Sequence, residues 1–400
     1  MSNSHITIRD SWPLVGGIPI PYFNALRDAK SRLAAYNATR VARPKGKIAF
    51  AEFVERNGGR VPRTIAMLAD GRVESPESIT GKPVRKFLEQ LPHGHYFCKL
   101  NFGSNGKGAM RLDIAPEGVA IDGTMRDFAQ AAEALSAARY LVQESLTPRQ
   151  HPLISRFHAG VIDTLRLITF DADSGPVVAG AFMRMAIGKA TIDSWALGGV
   201  LAPIDLEKFC LRESGLLKKG LKLVDAHPQS GHRFGGAPVP YLAEAIATAC
   251  KLHSRLAIKS LGWDIALLED GPCILESNRQ WDIFSTAQLN LEFVHAFLRF
   301  HLPQGDQASA RFVFNGSFDD RQAVRHWLCG VAGAALTSGT VEQFSPERIV
   351  MTIAGTKPCV ESALTIARRN ASRLKITDIA AAPSPEAVPP GLNVSATFAG

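Results

Sequence analysis

The feature that most constrains this chain is the stretch HYFCKLNFGSNGKGAMRL, residues 95–112, which places three glycines and a lysine between two runs of alternating residues. Alternation with a period of two predicts a β-strand on each side of the glycines. A P-loop would read G-x-x-x-x-G-K-[ST] and continue into a helix, and a dinucleotide-binding loop also needs a helix behind its glycines. Here Lys107 is followed by Gly108 and by a strand pattern. The sequence therefore favours a β-hairpin over either of those phosphate sites.

The tip of this hairpin, residues 104–106, offers backbone N–H groups to phosphate oxygens because glycine-rich segments allow close approach to an anion. Strand alternation places Phe97, Lys99 and Asn101 on one face, so Lys99 reaches under the flexible flap. A plain glycine-rich turn with a surface lysine fits this stretch equally well when it is taken alone.

Length and composition predict an ordinary globular protein. A chain of 400 residues, 46% hydrophobic and 20% charged, is long enough for two or three domains with proper cores. It has no apolar run near the roughly 18 residues of a membrane helix and no signal-peptide pattern, so we expect no membrane insertion and a cytoplasmic location. The six cysteines are scattered, which favours free thiols over a disulfide or zinc framework.

The formal net charge of +8 raises three partner classes: nucleic acid, a membrane surface and small anions. The densest basic stretches, residues 40–47 and 217–222, are short and lack interleaved aromatic residues that would stack on bases. We therefore favour a solvated surface or a pocket for anionic small molecules, and expect no nucleic-acid partner.

Periodicity gives a coarse order of elements after the hairpin. It predicts a helix over residues 125–140, strands over 141–146, 163–170 and 177–188, and a further helix around 289–302. An amphipathic helix follows Pro240, with this proline in its tolerated first turn. The Pro- and Ala-rich residues 381–400 are predicted to be disordered.

A second group of polar residues lies in GWDIALLEDGPCILESN, residues 262–278, where two apolar strands flank a turn. Asp264, Glu276 and Asn278 occupy positions where apolar residues would otherwise fit, and such oxygen ligands suit a nucleotide-bound Mg²⁺. Asp264 shares a face with the other two only if it pairs with Asn278. That register predicts an odd loop, residues 270–272, with Gly271 supplying a positive φ. A solvated hairpin face is the less favoured alternative.

These motifs, in this order and together with LVQESL and DTLRLITF, resemble the ATP-grasp fold. In particular, MRMAIGKATIDSWALGGVLAPID and HPQSGHRFGGAPVP are similar to the sugar-transfer-associated branch, which is also described as glutamate-ligase-like. The resemblance covers roughly residues 95–300. It implies an α+β protein in which two α/β lobes clamp ATP. The domains are then an amino-terminal lobe (1–92), a small lobe with the glycine flap (93–148), a large lobe with the metal site (149–306), an appended domain (309–381) and a disordered tail (382–400).

The resemblance also implies roles for individual residues. Arg166 would face the γ-phosphate and the acyl-phosphate formed from it, and Lys107 would add a second cation. Magnesium would be held by Asp264, Glu276 and Asn278. The nucleotide would be bound by the strand lysine, the flap, the adenine hinge and a ribose contact, namely Lys99, Ser104, Asn105, Gly106, Gly108, Gln143, Glu144, Leu146 and Gln150.

A further group of residues is assigned to the acceptor substrate. Arg184, Asp193 and Trp195 precede a GGV turn, although the asparagine expected after the aspartate is Ser194 here. His227 lies in a glycine-containing loop with His232 and is a candidate substrate contact or base. A solvated loop histidine is the more common case.

The appended segment, residues 310–380, predicts strand, helix, two strands, helix and strand, the order of a ferredoxin-like sandwich. It also resembles acylphosphatases, with Arg325 as the phosphate-binding arginine. Asp319 and Asp320 would repel a phosphate, and the family's asparagine position holds Gln343. We therefore expect this domain to have lost catalysis and to serve packing, dimerisation or substrate delivery.

The resemblance implies an ADP-forming, ATP- and Mg²⁺-dependent carboxylate–amine ligase acting on an amino acid, a peptide or a uronic acid. Two other readings stay open. One is a non-ligating ATP-binding partner protein of a glycan-modifying pathway, and the other is a small-molecule kinase. The sequence does not fix the acid, the amine or the oligomeric state, for which a homodimer is one option.

Overall fold

The protein was examined as a computed structural model that describes residues 14–15, 18–19, 30, 44–103, 108–172, 174–188, 190, 193, 198–219, 222–279, 281, 297, 306–335 and 337–384. The chain divides into two units, Arg40–Trp281 and the combination of Met1–Thr39 with Asp282–Gly400. The first unit is built on two large β-sheets, and the second contains a four-stranded sheet.

The first sheet of the Arg40–Trp281 unit has seven antiparallel strands in the order β4-β3-β9-β5-β6-β7-β8. One face is covered by helices α2 (Val84–Gln90) and α3 (Phe128–Ser136), whose apolar side chains join Leu68, Cys98 and Val142 in a core. The strands are β3 (Thr64–Ala69), β4 (Arg72–Ser75), β5 (Gly94–Leu100), β6 (Met110–Ala115), β7 (Gly118–Ile121), β8 (Thr124–Arg126) and β9 (Tyr140–Glu144).

The predicted hairpin around the glycine stretch is confirmed. Strands β5 and β6 pair antiparallel from Gly94–Ile114 to Cys98–Met110, so a strand and not a helix follows the glycines. The predicted alternation is also found, because Cys98 is buried in the core while Phe97 and Lys99 face the opposite side. Residues 104–107 of the flap lie outside the described part of the chain.

Helix α3 begins later than predicted. Asp127 caps it in a capping box with Gln130, while Met125 and Arg126 belong to β8. The apolar periodicity of residues 125–140 could not separate the last strand residues from the helix, whereas the capping chemistry does.

The second sheet has eight strands, in the order β15-β14-β12-β11-β10-β16-β17 with β13 paired to β12. Its core includes Trp263 and Phe234 and is covered by α1 (Gly46–Arg56) and α5 (Leu242–His253), with the short helix α4 (Pro152–Ser155) beside it. The strands are β10 (Thr164–Ala172), β11 (Gly175–Met185), β12 (Val200–Asp205), β13 (Cys210–Leu211), β14 (Gly215–Leu217), β15 (Lys222–Val224), β16 (Ser260–Leu268) and β17 (Gly271–Asn278).

Two predictions need correction in this unit. Pro240 is not in the first turn of α5, because Tyr241 adopts a left-handed conformation (φ 54°) and the helix starts at Leu242. The boundary predicted at residues 92/93 falls within one sheet, since β3 pairs with β9 and β4 pairs with β3. Helix α1 also packs on the second sheet's core through Val54, so residues 44–92 form no separate lobe.

The second unit shows the predicted element order in residues 306–384. It has strand β18 (Gln307–Gly316), helix α6 (Arg321–Ala335), strands β19 (Ser338–Phe344) and β20 (Arg348–Thr356), helix α7 (Lys357–Asn370) and strand β21 (Ile376–Pro383). The sheet order is β19-β20-β18-β21, and all pairs are antiparallel. A short ribbon of β1 (Leu14–Val15) and β2 (Ile18–Pro19) also belongs to this unit. The predicted helix at 289–302, apart from Phe297, and residues 385–400 lie outside the description.

No helix in the described residues is long and apolar enough to cross a membrane. Five of the six cysteines, Cys98, Cys210, Cys250, Cys273 and Cys359, are free thiols, as predicted for a scattered set.

Candidate nucleotide site

A cleft with about 620 Å³ of empty space, counted to its open mouth, lies between the two sheets of the Arg40–Trp281 unit. The cleft brings together five residues predicted from the sequence: Lys99, Gln143, Glu144, Leu146 and Asp193. Its other lining residues are Pro62, Phe97, Arg111, Ser145, Thr147, Val161, Ile162, Thr164 and Leu275.

Two lysines lie near enough to Glu276 for its charge to act on them, and one of them, Lys99, lines the cleft. Lys99 lies on β5, and burial lowers its pKa to about 8, although the charge of Glu276 partly opposes the shift. Lys47 lies in the first turn of α1, and burial lowers its pKa as well, again against the influence of Glu276. An anionic ligand would relieve the repulsion and desolvation that both ammonium groups experience.

Lys47 is anchored to the strand that carries Lys99. Its backbone N–H donates to Asn101 Oδ1 at 2.9 Å, and its Nζ donates to the Gly103 carbonyl at 3.0 Å. Sequence reasoning missed this residue as a site member. The available signal was its place in the basic stretch 40–47, which suits a solvated surface or a pocket for anionic small molecules but does not single out Lys47.

The three predicted metal-ligating side chains lie together on β16 and β17. Asp264 pairs directly with Glu276, and Asn278 Nδ2 donates to Glu276 Oε1 at 3.1 Å and to Asp264 Oδ2 at 3.3 Å. The loop and the strand register that produce this arrangement differ from the prediction. Glu269 and Asp270 form a two-residue connection, not residues 270–272, so that loop prediction was wrong.

A β-bulge places Asp264 on the same face of the sheet as Glu276 and Asn278. The register shifts by one residue at Leu275, between the pairs Ile265–Ile274 and Asp264–Glu276. A bulge inserts one unpaired residue into a strand and re-aims the side chains beyond it. Gly271 does have a positive φ, 121°, as predicted, but as the first residue of β17.

Two arginines hold the buried Asp264. Arg166 donates from Nε to Asp264 Oδ1 at 2.5 Å and from Nη2 to Oδ2 at 3.1 Å, a bidentate pair between neighbouring strands. Arg184 Nη2 lies 3.2 Å from Asp264 Oδ2 and 3.2 Å from Asp193 Oδ2. Arg184 also donates to Thr164 Oγ1 at 2.8 Å, and this threonine, which sequence reasoning missed, links β10 to Asp193.

The two neighbouring carboxyl groups differ in acidity. Burial alone would raise the pKa of Asp264, but Arg166 and Arg184 hold it below its ordinary value. Burial and the adjacent Asp264 raise the pKa of Glu276. Burial also raises the pKa of Asp193, although the positive charge of Arg184 opposes this shift. For Arg184, burial would lower the pKa, but the charges of Asp193 and Asp264 outweigh it and raise the pKa. Ionisation of Glu276 is therefore unfavourable beside the negative charge of Asp264.

This donor set fits a divalent cation. The described residues contain no group of three His, Cys, Asp or Glu side chains that could hold a metal ion. Asp264, Glu276 and Asn278 would offer a cation two carboxylates and one amide oxygen. Mg²⁺ is commonly held by one or two carboxylates together with substrate phosphates and water. The repulsion between Glu276 and Asp264 is the feature that a bound cation would remove.

The three predicted hinge residues line the cleft. Glu144 Oε1 accepts from the Arg63 N–H at 2.9 Å, and Gln143 Nε2 donates to the Pro62 carbonyl at 3.3 Å. The Leu146 amide donates no hydrogen bond to any other described residue, while its carbonyl accepts from Arg149. The side chains of Gln143 and Glu144 are thus fixed by the protein.

Several predicted residues lie elsewhere. Gln150 is buried outside the cleft lining, and its Nε2 donates to the Asp163 carbonyl at 2.7 Å. His227 is fully buried and not solvated; its Nε2 lies 2.9 Å from the Ala186 carbonyl and its Nδ1 lies 3.3 Å from Ser230 Oγ. Gly108 ends the flap with φ 70°. The predictions for Ser104, Asn105, Gly106, Lys107 and Trp195, and for the Arg325 side chain, lie outside the described residues.

The solved structures that resemble the chain include an N5-carboxyaminoimidazole synthase from Aspergillus clavatus in complex with ADP and 5-aminoimidazole ribonucleotide (14% identity, 83% of this chain and 73% of that chain, TM-score 0.37). They also include D-alanyl-alanine synthetase A from Vibrio cholerae (14%, 64% and 66%, 0.32) and an L-amino acid ligase from Bacillus licheniformis (10%, 81% and 71%, 0.34). These similarities are too remote to assign a substrate. No curated protein matches the sequence.

The sequence model of sugar-transfer-associated ATP-grasp proteins matches residues 30–292, which is more than half of the chain. The match spans both sheets and every residue of the cleft. It confirms the resemblance and the fold expected from the motifs, and the chain belongs to the sugar-transfer-associated ATP-grasp family.

Proposed function

We propose that this protein is an ATP- and magnesium-dependent carboxylate–amine ligase that forms an amide through an acyl-phosphate and releases ADP. The observation that carries the proposal is a group of opposite charges next to Lys99, a residue of the cleft lining. The charge of Glu276 acts on Lys47 and Lys99, and Glu276 pairs with Asp264 beside Arg166 and Arg184. Cations that bind phosphate thus lie next to carboxylates that suit a metal.

The protein's own residues supply positioning and charge neutralisation, which is most of what phosphoryl transfer requires. Lys99 and Lys47 would neutralise the phosphates, and the hinge at Leu146 would orient the base. Magnesium, held by Asp264, Glu276 and Asn278, would neutralise phosphate charge during transfer. In ligation the carboxylate oxygen attacks the γ-phosphorus of ATP and ADP leaves. The amine then attacks the acyl carbon, loses a proton and expels phosphate.

Arg166 and Arg184 are the groups proposed to meet the acyl-phosphate. Both guanidinium groups bond to Asp264 in this structure. A cation at Asp264 would compete with them for the carboxylate oxygens and leave guanidinium N–H groups for an anionic intermediate. Arginine suits that role because its planar fork matches phosphate and carboxylate geometry.

One observation favours a different function. Both oxygens of Asp264 are already bonded to arginines, an arrangement that also fits a stable ionic network in a non-ligating ATP-binding partner protein. That protein would bind nucleotide tightly and never consume it. A small-molecule kinase is distinguished by a stable phosphorylated product formed without an amine.

The test is ADP and phosphate release from Mg·ATP with pooled amino acids, with and without uronic acids, followed by mass spectrometry for condensed products. We expect amine-dependent ADP release with a dehydrated adduct. The Asp264→Asn, Glu276→Gln double variant should lose this activity, and Glu269→Gln, an exposed carboxylate next to the same hairpin turn, should keep it. ATP binding without turnover across all pools would refute ligation.

A further inference from the structure

A second cavity lies beside the nucleotide cleft in the Arg40–Trp281 unit. It encloses about 1300 Å³ counted to its open mouth and shares Arg111 with the cleft. Its walls come from the segment Ser155–Gly160, the β7–β8 turn, and residues near Gly188 and Gln229. We propose that this cavity binds the carboxylate- or phosphate-bearing part of a substrate, away from the reacting carboxyl group, with Arg156 as its anchor. The assignment of that molecule as a ligase substrate rests on the proposed function.

Arg156 has no carboxylate partner among the described residues. Its side chain is partly buried, its Nε is shielded from solvent, and no acceptor of the described residues contacts this atom. Its guanidinium carbon lies 5.0 Å from the centre of the Phe157 ring. A guanidinium N–H removed from water is costly unless it is hydrogen-bonded, and arginine binds carboxylate and phosphate groups particularly well. An anionic ligand would supply the missing partner.

The neighbouring polar groups are held in fixed orientations. Gln229 Oε1 accepts from the Gly188 N–H at 2.9 Å, which leaves the Gln229 amide N–H groups to donate. His158 lies with Nε2 3.1 Å from the Gly188 carbonyl and Nδ1 3.4 Å from the Gly160 N–H. The His158 ring is thus held against the backbone of the cavity wall.

The β7–β8 turn provides an acceptor. Asp122 Oδ1 accepts from the Arg111 N–H at 2.9 Å, and its other oxygen has no partner in the described residues. With Arg156 and Gln229 donating and Asp122 accepting, the cavity suits an anion that also carries hydroxyl or amine groups. Polyhydroxylated acids, sugar phosphates and amino acids share that chemistry. Because Arg111 borders both cavities, such a molecule lies next to the nucleotide.

The test is binding of defined probes to the full chain by saturation-transfer NMR and calorimetry, in the presence and absence of Mg·ADP. The probes are D-glucuronate and D-glucose 6-phosphate, with uncharged D-glucose as the control. We expect the charged probes to bind and glucose not to bind. Arg156→Gln should weaken charged-probe binding at least about tenfold, Arg156→Lys should weaken it less, and both should leave Mg·ADP affinity unchanged. The two charged probes separate a carboxylate site from a phosphate site.

Arg255→Gln removes an exposed arginine outside both cavities and is the matched control. The proposal is overturned if neither charged probe binds the wild-type chain, or if both bind Arg156→Gln as tightly as wild type. Melting temperature and Mg·ADP binding establish that each variant is folded. Arg156-dependent probe binding in a protein that never consumes ATP would support the anion site and refute the ligase.

Discussion

Several ionisable side chains in and beside the cleft have pKa values shifted by their surroundings, and a bound ligand would change those surroundings. Lys99 is a desolvated ammonium group, Glu276 is a carboxyl group beside another carboxyl group, and Asp264 is tied to two guanidinium groups. Perturbed groups of this kind collect at functional sites because binding and catalysis need them. Each one makes a separate prediction.

Replacing Lys99 with Met should weaken Mg·ADP binding by about 10- to 100-fold, since a hydrogen bond to a charged group is worth about 1.5–3 kcal/mol. In the wild type, affinity should be steady below about pH 8 and fall above it, because the free protein then loses the Lys99 charge. The variant should lose this pH dependence. Calorimetry from pH 6.5 to 9.5 measures both, with the exposed Lys86→Met as the control.

The lowered pKa of Lys99 also predicts how the stability of the unliganded protein depends on pH. Stability should increase with rising pH, whereas nucleotide affinity should decrease. A lysine whose pKa falls on folding binds fewer protons in the folded state, so the free energy of unfolding should rise from about pH 8 to 10.5. Urea titrations should show that rise in the wild type and not in Lys99→Met. Parallel curves would mean that Lys99 does not have a lowered pKa.

Asp264→Asn and Glu276→Gln should affect stability differently. Removing the Asp264 charge leaves the buried Arg166 without its bonded carboxylate and leaves Arg184 with Asp193 alone, which should lower the free energy of unfolding by about 3–5 kcal/mol. Glu276→Gln removes repulsion with Asp264 and should change stability by no more than about 1 kcal/mol. Both should abolish the Mg²⁺ dependence of nucleotide binding. Urea unfolding and calorimetry with and without Mg²⁺ test this, and equal losses of stability would contradict it.

At the scale of elements, the β16–β17 hairpin shows what the sequence could and could not predict. Alternation predicted both strands, and residue chemistry selected Asp264, Glu276 and Asn278. Alternation did not predict the bulge at Leu275, because one additional apolar residue in an apolar strand leaves no recognisable change in the sequence pattern. Lys47 was missed for another reason: its partner Asn101 is 54 residues away, and such contacts exist only after the sheet and α1 have packed.

The turn of this hairpin should depend on Gly271. Its φ of 121° is unfavourable for any residue with a Cβ, while the nearest atom to an added Cβ would be Glu244 Oε1 at 3.5 Å. Gly271→Ala should therefore cost about 1–3 kcal/mol through backbone strain alone. Asp270→Ala, which removes exposed ion pairs with Arg60 and Arg149, should cost less than about 1 kcal/mol. Urea unfolding ranks the two, and the reverse order would disprove the strain argument.

At the scale of the molecule, all described cleft residues belong to the Arg40–Trp281 unit. We therefore predict that a fragment of residues 30–292 unfolds cooperatively and binds Mg·ADP within about threefold of the full chain, because a domain with its own core can fold alone. Denaturant titration and calorimetry check this. Affinity more than tenfold weaker would mean that the remaining residues contribute to the site.

The second unit should have no phosphatase activity. Asp320 Oδ1 accepts from the Ala323 N–H at the start of α6, and Asp319 lies near Ser317 and Lys375. If a phosphate bound before this helix, as the resemblance to acylphosphatases implies, these carboxylates would repel it. We predict that the full chain and the 30–292 fragment release phosphate from acetyl phosphate at the same background rate. Faster phosphate release by the full chain than by the fragment would show that the second unit is catalytic.

The pKa of Lys99 has a practical consequence for chemical labelling. At pH 7.4 a lysine with a pKa of about 8 is about one-fifth neutral, whereas an ordinary lysine is neutral about once in a thousand molecules. Only the neutral amine is a nucleophile, so a lysine-directed electrophile used in small amounts should modify Lys99 before the exposed lysines. Protection of this one amine by ATP would give a reporter of cleft occupancy that needs no knowledge of the acid or the amine.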